Sequence, residues 1–324
     1  MLRFILRAHL AVVMCLVMAP VLWAAPAPSY VFHDIISPGD PAFTQLLGIN
    51  NSGTIAGYYG DGTTIANHGF TLVIPTNTYT PENVPGAAQT QAIGINNTGW
   101  TDGFYVDAGG VTHGFTYNGS YNTVDAPGTA FNQLLGINNG GVAAGYSSLD
   151  PAGMILQRSF SEFGGSFTYL DGFLPAGTAN NQAVGLNNAG LVVGFYTDSM
   201  GVPHGYLLNG SSLTTLNYPG SMNTSAFGIN NNGLIVGIYT DSGGVQHGFT
   251  YNGTTWQTFD DPNGVGTTVI NGVNDLGQLV GFYVNGNKAT IGFLATPTPE
   301  PGSLALLGTG VLAGLAGLRR KLMR

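Results

Sequence analysis

A six-residue core recurs six times along the chain, and this recurrence restricts the fold more than any other feature. The copies read Gly48-Ile49-Asn50-Asn51-Ser52-Gly53, Gly94-Ile95-Asn96-Asn97-Thr98-Gly99 and Gly136-Ile137-Asn138-Asn139-Gly140-Gly141. They continue as Gly185-Leu186-Asn187-Asn188-Ala189-Gly190, Gly228-Ile229-Asn230-Asn231-Asn232-Gly233 and Gly272-Val273-Asn274-Asp275-Leu276-Gly277. The leading glycines are 46, 42, 49, 43 and 44 residues apart. In the fifth copy, residues 226–229, 234–239, 247–251 and 256–259 read as four short strands. Between them lie the turn signals Asn231-Asn232-Gly233, Asp241-Ser242-Gly243-Gly244 and Asn252-Gly253, and Asp261-Pro262 ends the unit.

Four strands in about 45 residues is the size of one β-propeller blade. The sixth copy stops after its third strand, at Gly292-Phe293-Leu294. The missing strand is found at the other end of the mature chain. Residues 31–36, followed by Pro38-Gly39, match Val124-Asp125-Ala126-Pro127-Gly128 and Leu216-Asn217-Tyr218-Pro219-Gly220. The expected fold is therefore all-β: a six-bladed β-propeller over residues 28–297, built of four-stranded blades and closed by an N-terminal strand. Closure removes the open edges that a linear array would leave.

Both ends carry addresses. Arg3 and Arg7 precede an apolar stretch, and small residues follow at Ala24, Ala25 and Ala27, so residues 1–25 read as a secretory signal peptide. Cys15, the only cysteine, lies inside it, which leaves the mature chain without a thiol, disulfide or cysteine metal ligand. At the other end, Pro299-Glu300-Pro301 precedes an apolar run expected to form a transmembrane helix over residues 303–318. Arg319, Arg320 and Lys321 follow and place that end in the cytoplasm. Residues 299–324 thus resemble the PEP-CTERM sorting signal of Gram-negative bacteria, carried by Pro299, Glu300, Pro301, Arg319 and Arg320. The resemblance implies handling by the secretion machinery and an exosortase. It also implies membrane association through the helix until processing, and delivery to the cell surface or an exopolysaccharide matrix.

The repeat unit is similar to the bacterial HAF extracellular repeat, whose mark is the step His68-Gly69-Phe70, His113-Gly114-Phe115 and His247-Gly248-Phe249, with His204-Gly205-Tyr206 a near variant. The third and sixth copies depart, with Arg158-Ser159-Phe160 and Ile291-Gly292-Phe293. That resemblance implies export and brings no activity with it.

Between the two addresses only Arg158 and Lys288 are basic, against fifteen acidic residues, a net charge of −13. Such a surface cannot neutralise phosphates, so nucleic acid is excluded as a partner. A neutral polysaccharide or an envelope protein is the expected partner. Each repeat histidine follows an acidic residue at a near-fixed step, giving Asp61/His68, Asp107/His113, Asp198/His204 and Asp241/His247. The copies that lose one partner lose the other, as structural pairs across a hairpin would. Four histidines facing a channel could instead hold a ligand or a metal. No metal site is assigned and no cofactor is implied; calcium, with Asp260-Asp261 as the densest acidic pair, is the remaining inorganic option.

Asp102 breaks the repeat's pattern, replacing Ala56, Ala144, Val193, Val236 and Val280 of the other copies, and Trp100 beside it is also unusual. Both are candidate ligand-binding residues, with drift in a half-solvated strand as the plain alternative. No nucleophile elbow, zinc motif or spaced carboxylate pair is present, so an enzyme is not expected. The expected function is an exported structural or binding module. The alternative is a secreted glycan-active hydrolase or lyase working near Asp102.

Overall fold

Strand β1, Tyr30–Ile35, pairs antiparallel with the last strand among the described residues and not with its sequence neighbour. The protein is represented by a computed structural model that describes residues 29–298. The expected signal peptide, the Pro299-Glu300-Pro301 motif, the basic stop and the expected span at 303–318 lie outside the described residues. Among the described residues no helix is long and apolar enough to cross a membrane.

The first repeat holds β2 (Thr44–Ile49), β3 (Thr54–Tyr59), β4 (His68–Val73) and β5 (Thr78–Pro81). The second holds β6 (Gln89–Ile95), β7 (Thr101–Val106), β8 (Thr112–Tyr117) and β9 (Tyr121–Val124). The third holds β10 (Phe131–Ile137), β11 (Ala143–Ser148), β12 (Arg158–Phe163) and β13 (Ser166–Tyr169). Next come β14 (Asn180–Leu186), β15 (Leu191–Thr197), β16 (Pro203–Asn209) and β17 (Ser212–Leu216). The fifth repeat holds β18 (Asn223–Ile229), β19 (Ile235–Thr240), β20 (Gln246–Tyr251) and β21 (Trp256–Phe259). The sixth contributes β22 (Val269–Val273), β23 (Leu279–Val284) and β24 (Thr290–Pro297), and β1 is its fourth strand, Val31 facing Thr296 and Ile35 facing Gly292.

Every repeat is an antiparallel meander, and such four-stranded units around one centre make a β-propeller. The sheets number five because the second and third repeats share one of eight strands. Their only register link is a single parallel pair, Phe131 with Thr112. A like contact between Phe43 and Thr290 remains an isolated bridge, since Phe43 precedes β2. In the fifth repeat the first strand starts at Asn223, three residues before the apolar signal. The register skips one residue between Ala226 and Gly228, a β-bulge that lets the strand continue.

The innermost strand of each repeat carries the core motif, and its chemistry fixes the centre. A Cβ on Gly228 would lie 2.8 Å from the Asn271 carbonyl, and one on Gly48 would lie 2.7 Å from that of Ile93. Inner strands approach this closely only where no side chain intervenes. In the following turn, the Asn50 Oδ1 accepts from the Ser52 and Thr54 amides, the expected Asx-type turn. Its Nδ2 reaches further and donates to the Asn96 carbonyl of the next repeat, at 3.1 Å. The same bond runs from Asn96 to Asn138, Asn187, Asn230 and Asn274, and from Asn274 back to Asn50. The chain of amides is closed.

Outside this centre, apolar side chains fill the space between neighbouring repeats. Val193 and Leu216 of the fourth pack with Ala226, Ile235 and Phe249 of the fifth. The aromatic residue after each of the four His-Gly steps is buried, as Phe70, Phe115, Tyr206 and Phe249, and so are its counterparts Phe160 and Phe293 in the other two repeats. Each such ring contributes about 1.5–3 kcal/mol. Residues 30–297 form one compact unit.

Candidate functional site

The histidines stand at the ends of the third strands, on the face opposite the Asn turns. His113 Nε2 is 3.5 Å from Asp107 Oδ2, His204 Nε2 is 3.4 Å from Asp198 Oδ2, and His247 Nε2 is 3.5 Å from Asp241 Oδ2. These three pairs form as the spacing predicts. The nearer partner of each ring lies 12 or 13 residues downstream, after the fourth strand. His113 Nδ1 is 2.6 Å from Asp125, His247 Nδ1 is 2.7 Å from Asp260, and His204 Nδ1 donates to Asn217 at 3.0 Å. The facing tyrosine completes the cluster: Tyr105, Tyr196 and Tyr239 lie against the three rings at centroid distances of 5.1–5.3 Å. Burial opposes the cation, but Asp260 and Asp241 outweigh it, and His247 is held above its ordinary value.

The fourth expected pair does not form. Asp61 precedes His68 by seven residues where the other pairs are six apart. The longer loop turns its carboxylate onto the Thr63, Thr64 and Ile65 amides. These bonds hold Asp61 well below the usual carboxylate range. Among the described residues, His68 keeps only its stack on Tyr59. In the third repeat Arg158 takes the histidine's place. It pairs with Asp171, the counterpart of Asp260, at 3.1 Å and stacks over Tyr169 at 4.1 Å. Each cluster is confined to one repeat, and among the described residues no group of three such side chains is arranged to hold a metal ion. Asp260 and Asp261 do not face one ligand: Asp260 serves His247, while Asp261 is buried and caps the Asn263 amide.

Asp102 and Trp100 part company. Asp102 is fully buried, with Oδ1 accepting from the Gly94 amide at 2.8 Å and Oδ2 without a partner among the described residues. Beside it lies Glu82, also buried, which accepts a hydrogen bond from Thr101. Glu82 fills the fourth-strand position held by Val124, Leu216 and Phe259 in other repeats. Two carboxyl groups thus occupy apolar positions between the first and second repeats. Burial pushes Asp102 up to about 8, with Glu82 adding to the effect, and Glu82 up to about 7. Asp102 is therefore no surface ligand contact. Comparing fourth-strand ends across copies would have revealed Glu82.

Trp100 lies in the open. Its ring borders a cleft of about 740 Å³ between the second and third repeats, together with Phe163, Phe167, Asn118, Asn122 and Glu162. Trp100 is 38% exposed and Phe163 60%. In this cleft aromatic faces stand among amides, hydroxyls and the carboxylates Asp125 and Glu162.

The fold and the tail together define a class, an exported β-propeller carrying a sorting signal. The PEP-CTERM protein-sorting motif matches residues 297–321, and a chain bearing it is an exosortase substrate that passes through a membrane-anchored stage. No curated protein matches the chain in sequence. Among solved structures, a lectin of Aleuria aurantia in complex with Fucalpha1-6GlcNAc is similar at 11% identity and a TM-score of 0.47, covering 80% of this chain and 97% of its own. The SapL1 lectin in complex with alpha methyl fucoside is similar at 12% identity and 0.48, covering 80% and 97%. The β-propeller domain of the Trilobed protease from Pyrococcus furiosus is similar at 10% identity and 0.45, covering 78% and 95%.

Proposed function

We propose that this protein is a cell-surface or matrix-associated binding module for neutral polysaccharide, displayed on a six-bladed propeller in which the eight-stranded sheet counts as two blades. The observation that carries the reading is the Trp100 cleft. Trp100 has no aromatic counterpart at the same turn position, which holds Thr54, Val142, Leu191, Leu234 and Gln278 elsewhere. Aromatic faces flanked by amides suit the apolar face and hydroxyl rim of a sugar, and the two carboxylates of the cleft, Asp125 and Glu162, are bonded to His113 and to the Gly165 amide. A net charge of −13 between the two addresses repels polyanions. Weak contacts gain strength when a polymer engages many copies fixed on one surface.

Affinity electrophoresis in gels containing neutral polysaccharides tests this. Wild type is expected to be retarded, and Trp100→Ala to lose at least tenfold in apparent affinity with an unchanged melting temperature. Equal retardation of the two proteins, or of neither, removes the cleft as the site. Release of reducing sugar, lost in Glu162→Gln, would favour the glycan-active alternative. Removing residues 299–324 is expected to shift the protein from the surface fraction to the periplasm or medium.

A further inference from the structure

The channel along the centre of the ring changes character from end to end. At the Asn turns its cavity is about 70 Å³, and at the level of the inner-strand glycines about 80 Å³. At the opposite mouth it widens to a cup of about 270 Å³. The bulges make the cup's floor. Each inner strand skips one residue in its register, between Leu46 and Gly48 in the first repeat and at the same place in the others. The skipped residues Leu47, Ile93, Leu135, Val184 and Phe227 line the cup together with the sixth, Asn271, whose Nδ2 donates to the Leu46 carbonyl at 3.0 Å. Phe104 and Phe195 line it as well.

Around this floor, apolar but for Asn271, stand four glutamines, Gln45, Gln91, Gln133 and Gln182. Their hydrogen bonds leave a defined set of free groups. Gln45 Oε1 accepts from the Tyr58 hydroxyl at 2.9 Å, so its Nε2 remains a donor. Gln91 Nε2 donates to Asn67 at 2.7 Å and Gln182 Nε2 to Gln157 at 3.1 Å, so both Oε1 atoms remain acceptors. Gln133 makes no side-chain bond among the described residues. No carboxylate, ammonium or guanidinium lines the cup. A charged ligand would enter without a counter-charge. A purely apolar ligand would cover these amides and leave them unsatisfied.

We infer that this axial cup binds one neutral pyranose residue, its apolar face on the bulge side chains and its hydroxyls on the glutamine rim. Hydroxyl groups both donate and accept, matching the mixed groups left free. The volume, at the small end for ligand sites, fits a single ring and not an oligosaccharide. The cup is built from residues other than those of the Trp100 cleft and does not depend on that cleft being a site.

Ligand-observed NMR and calorimetry on the exported protein test the inference. The probes are the methyl glycosides of glucose, galactose and mannose, with glucuronic acid and phenol as contrasts. At least one methyl glycoside is expected to bind with a Kd near the millimolar range. Gln133→Ala, a half-buried change that spares the fold, is expected to weaken it at least tenfold, and Val184→Phe to abolish it by filling the cup. Trp100→Ala is expected to leave it unchanged, which separates failure here from failure of the cleft. A neutral polysaccharide competing for the same signal would identify a chain end as the ligand, and lack of competition a free sugar. The inference is overturned if no methyl glycoside binds, if phenol or glucuronic acid binds as tightly, or if Gln133→Ala has no effect.

Discussion

His247 shows what one side chain contributes here. Its ring lies between Asp241 and Asp260 and stacks on Tyr239, with a centroid distance of 5.1 Å. Because its folded-state value is raised, its contribution is complete below about 6.5, the value of a free imidazole, and fades as pH rises through the folded value. His247→Gln is expected to cost about 1 kcal/mol near pH 5.5, a fall of about 2–4 °C in melting temperature, and less at pH 8. Calorimetric melting of both proteins at the two pH values checks this; a deficit that grows with pH would contradict it. The buried carboxyls push stability in the same direction, but because burial penalises their charged form and not because a partner favours it. Glu82 and Asp102 bind protons in the folded state up to about 7 and about 8, while the unfolded chain releases them near 4. The folded state therefore holds more protons over that interval, and stability falls as pH rises across it. Asp102→Val restores the apolar residue found at this position in other repeats and removes an unsatisfied buried oxygen. It is expected to raise stability by about 1–3 kcal/mol at pH 8 and to flatten the decline above pH 7. A lower melting temperature for that variant, or an unchanged slope, would count against this account.

At the scale of strands and turns, the inner strand carries two separate demands. Its glycine permits contact with the next repeat, and its asparagine both shapes the turn and ties that repeat in place. Asn187→Ala removes the bond to the Asn230 carbonyl and leaves the Ala189 and Leu191 amides without their side-chain acceptor. A loss of about 2–4 kcal/mol is expected in urea denaturation, with the m-value unchanged if cooperativity survives. The turn role of this asparagine is legible in the sequence because the turn is local. Its bond to the next repeat is not, because it depends on how two inner strands approach. The same division holds for the site. Asp241 and His247 are six residues apart across one hairpin, so their pairing can be read directly. Asp260 reaches His247 only through the register that sets Gly248 against Phe259. Asp102 shows as an anomaly when copies are compared, but its burial depends on what packs over β7. The glutamine cup is invisible without the bulge, which turns one residue per strand toward the centre.

For the whole molecule, stability depends on the chain meeting itself. The end strand β24 would present an open edge if β1 were absent, and edges of this kind recruit other chains. β1 also brings Tyr30 edge-on to Phe259 at 4.6 Å and Phe32 to Phe293 at 5.5 Å, so it seals the boundary between the fifth and sixth repeats as well as completing a sheet. The closing contacts near the Asn turns, from Asn274 to Asn50 and from Asp275 to Asn51, are made by other residues and would remain. Removing residues 29–36 therefore separates the two ways of closing the ring. If β1 carries closure, the shortened protein should lose about 3 kcal/mol or more from the two aromatic side chains and the strand bonds. It should also associate in a concentration-dependent manner in sedimentation velocity. A peptide spanning residues 29–37, added in trans, should raise its melting temperature and suppress association, since the vacated edge accepts the same six-residue register. A shortened protein that stays monomeric with an unaltered midpoint would show that the amide chain at the centre holds the ring closed by itself.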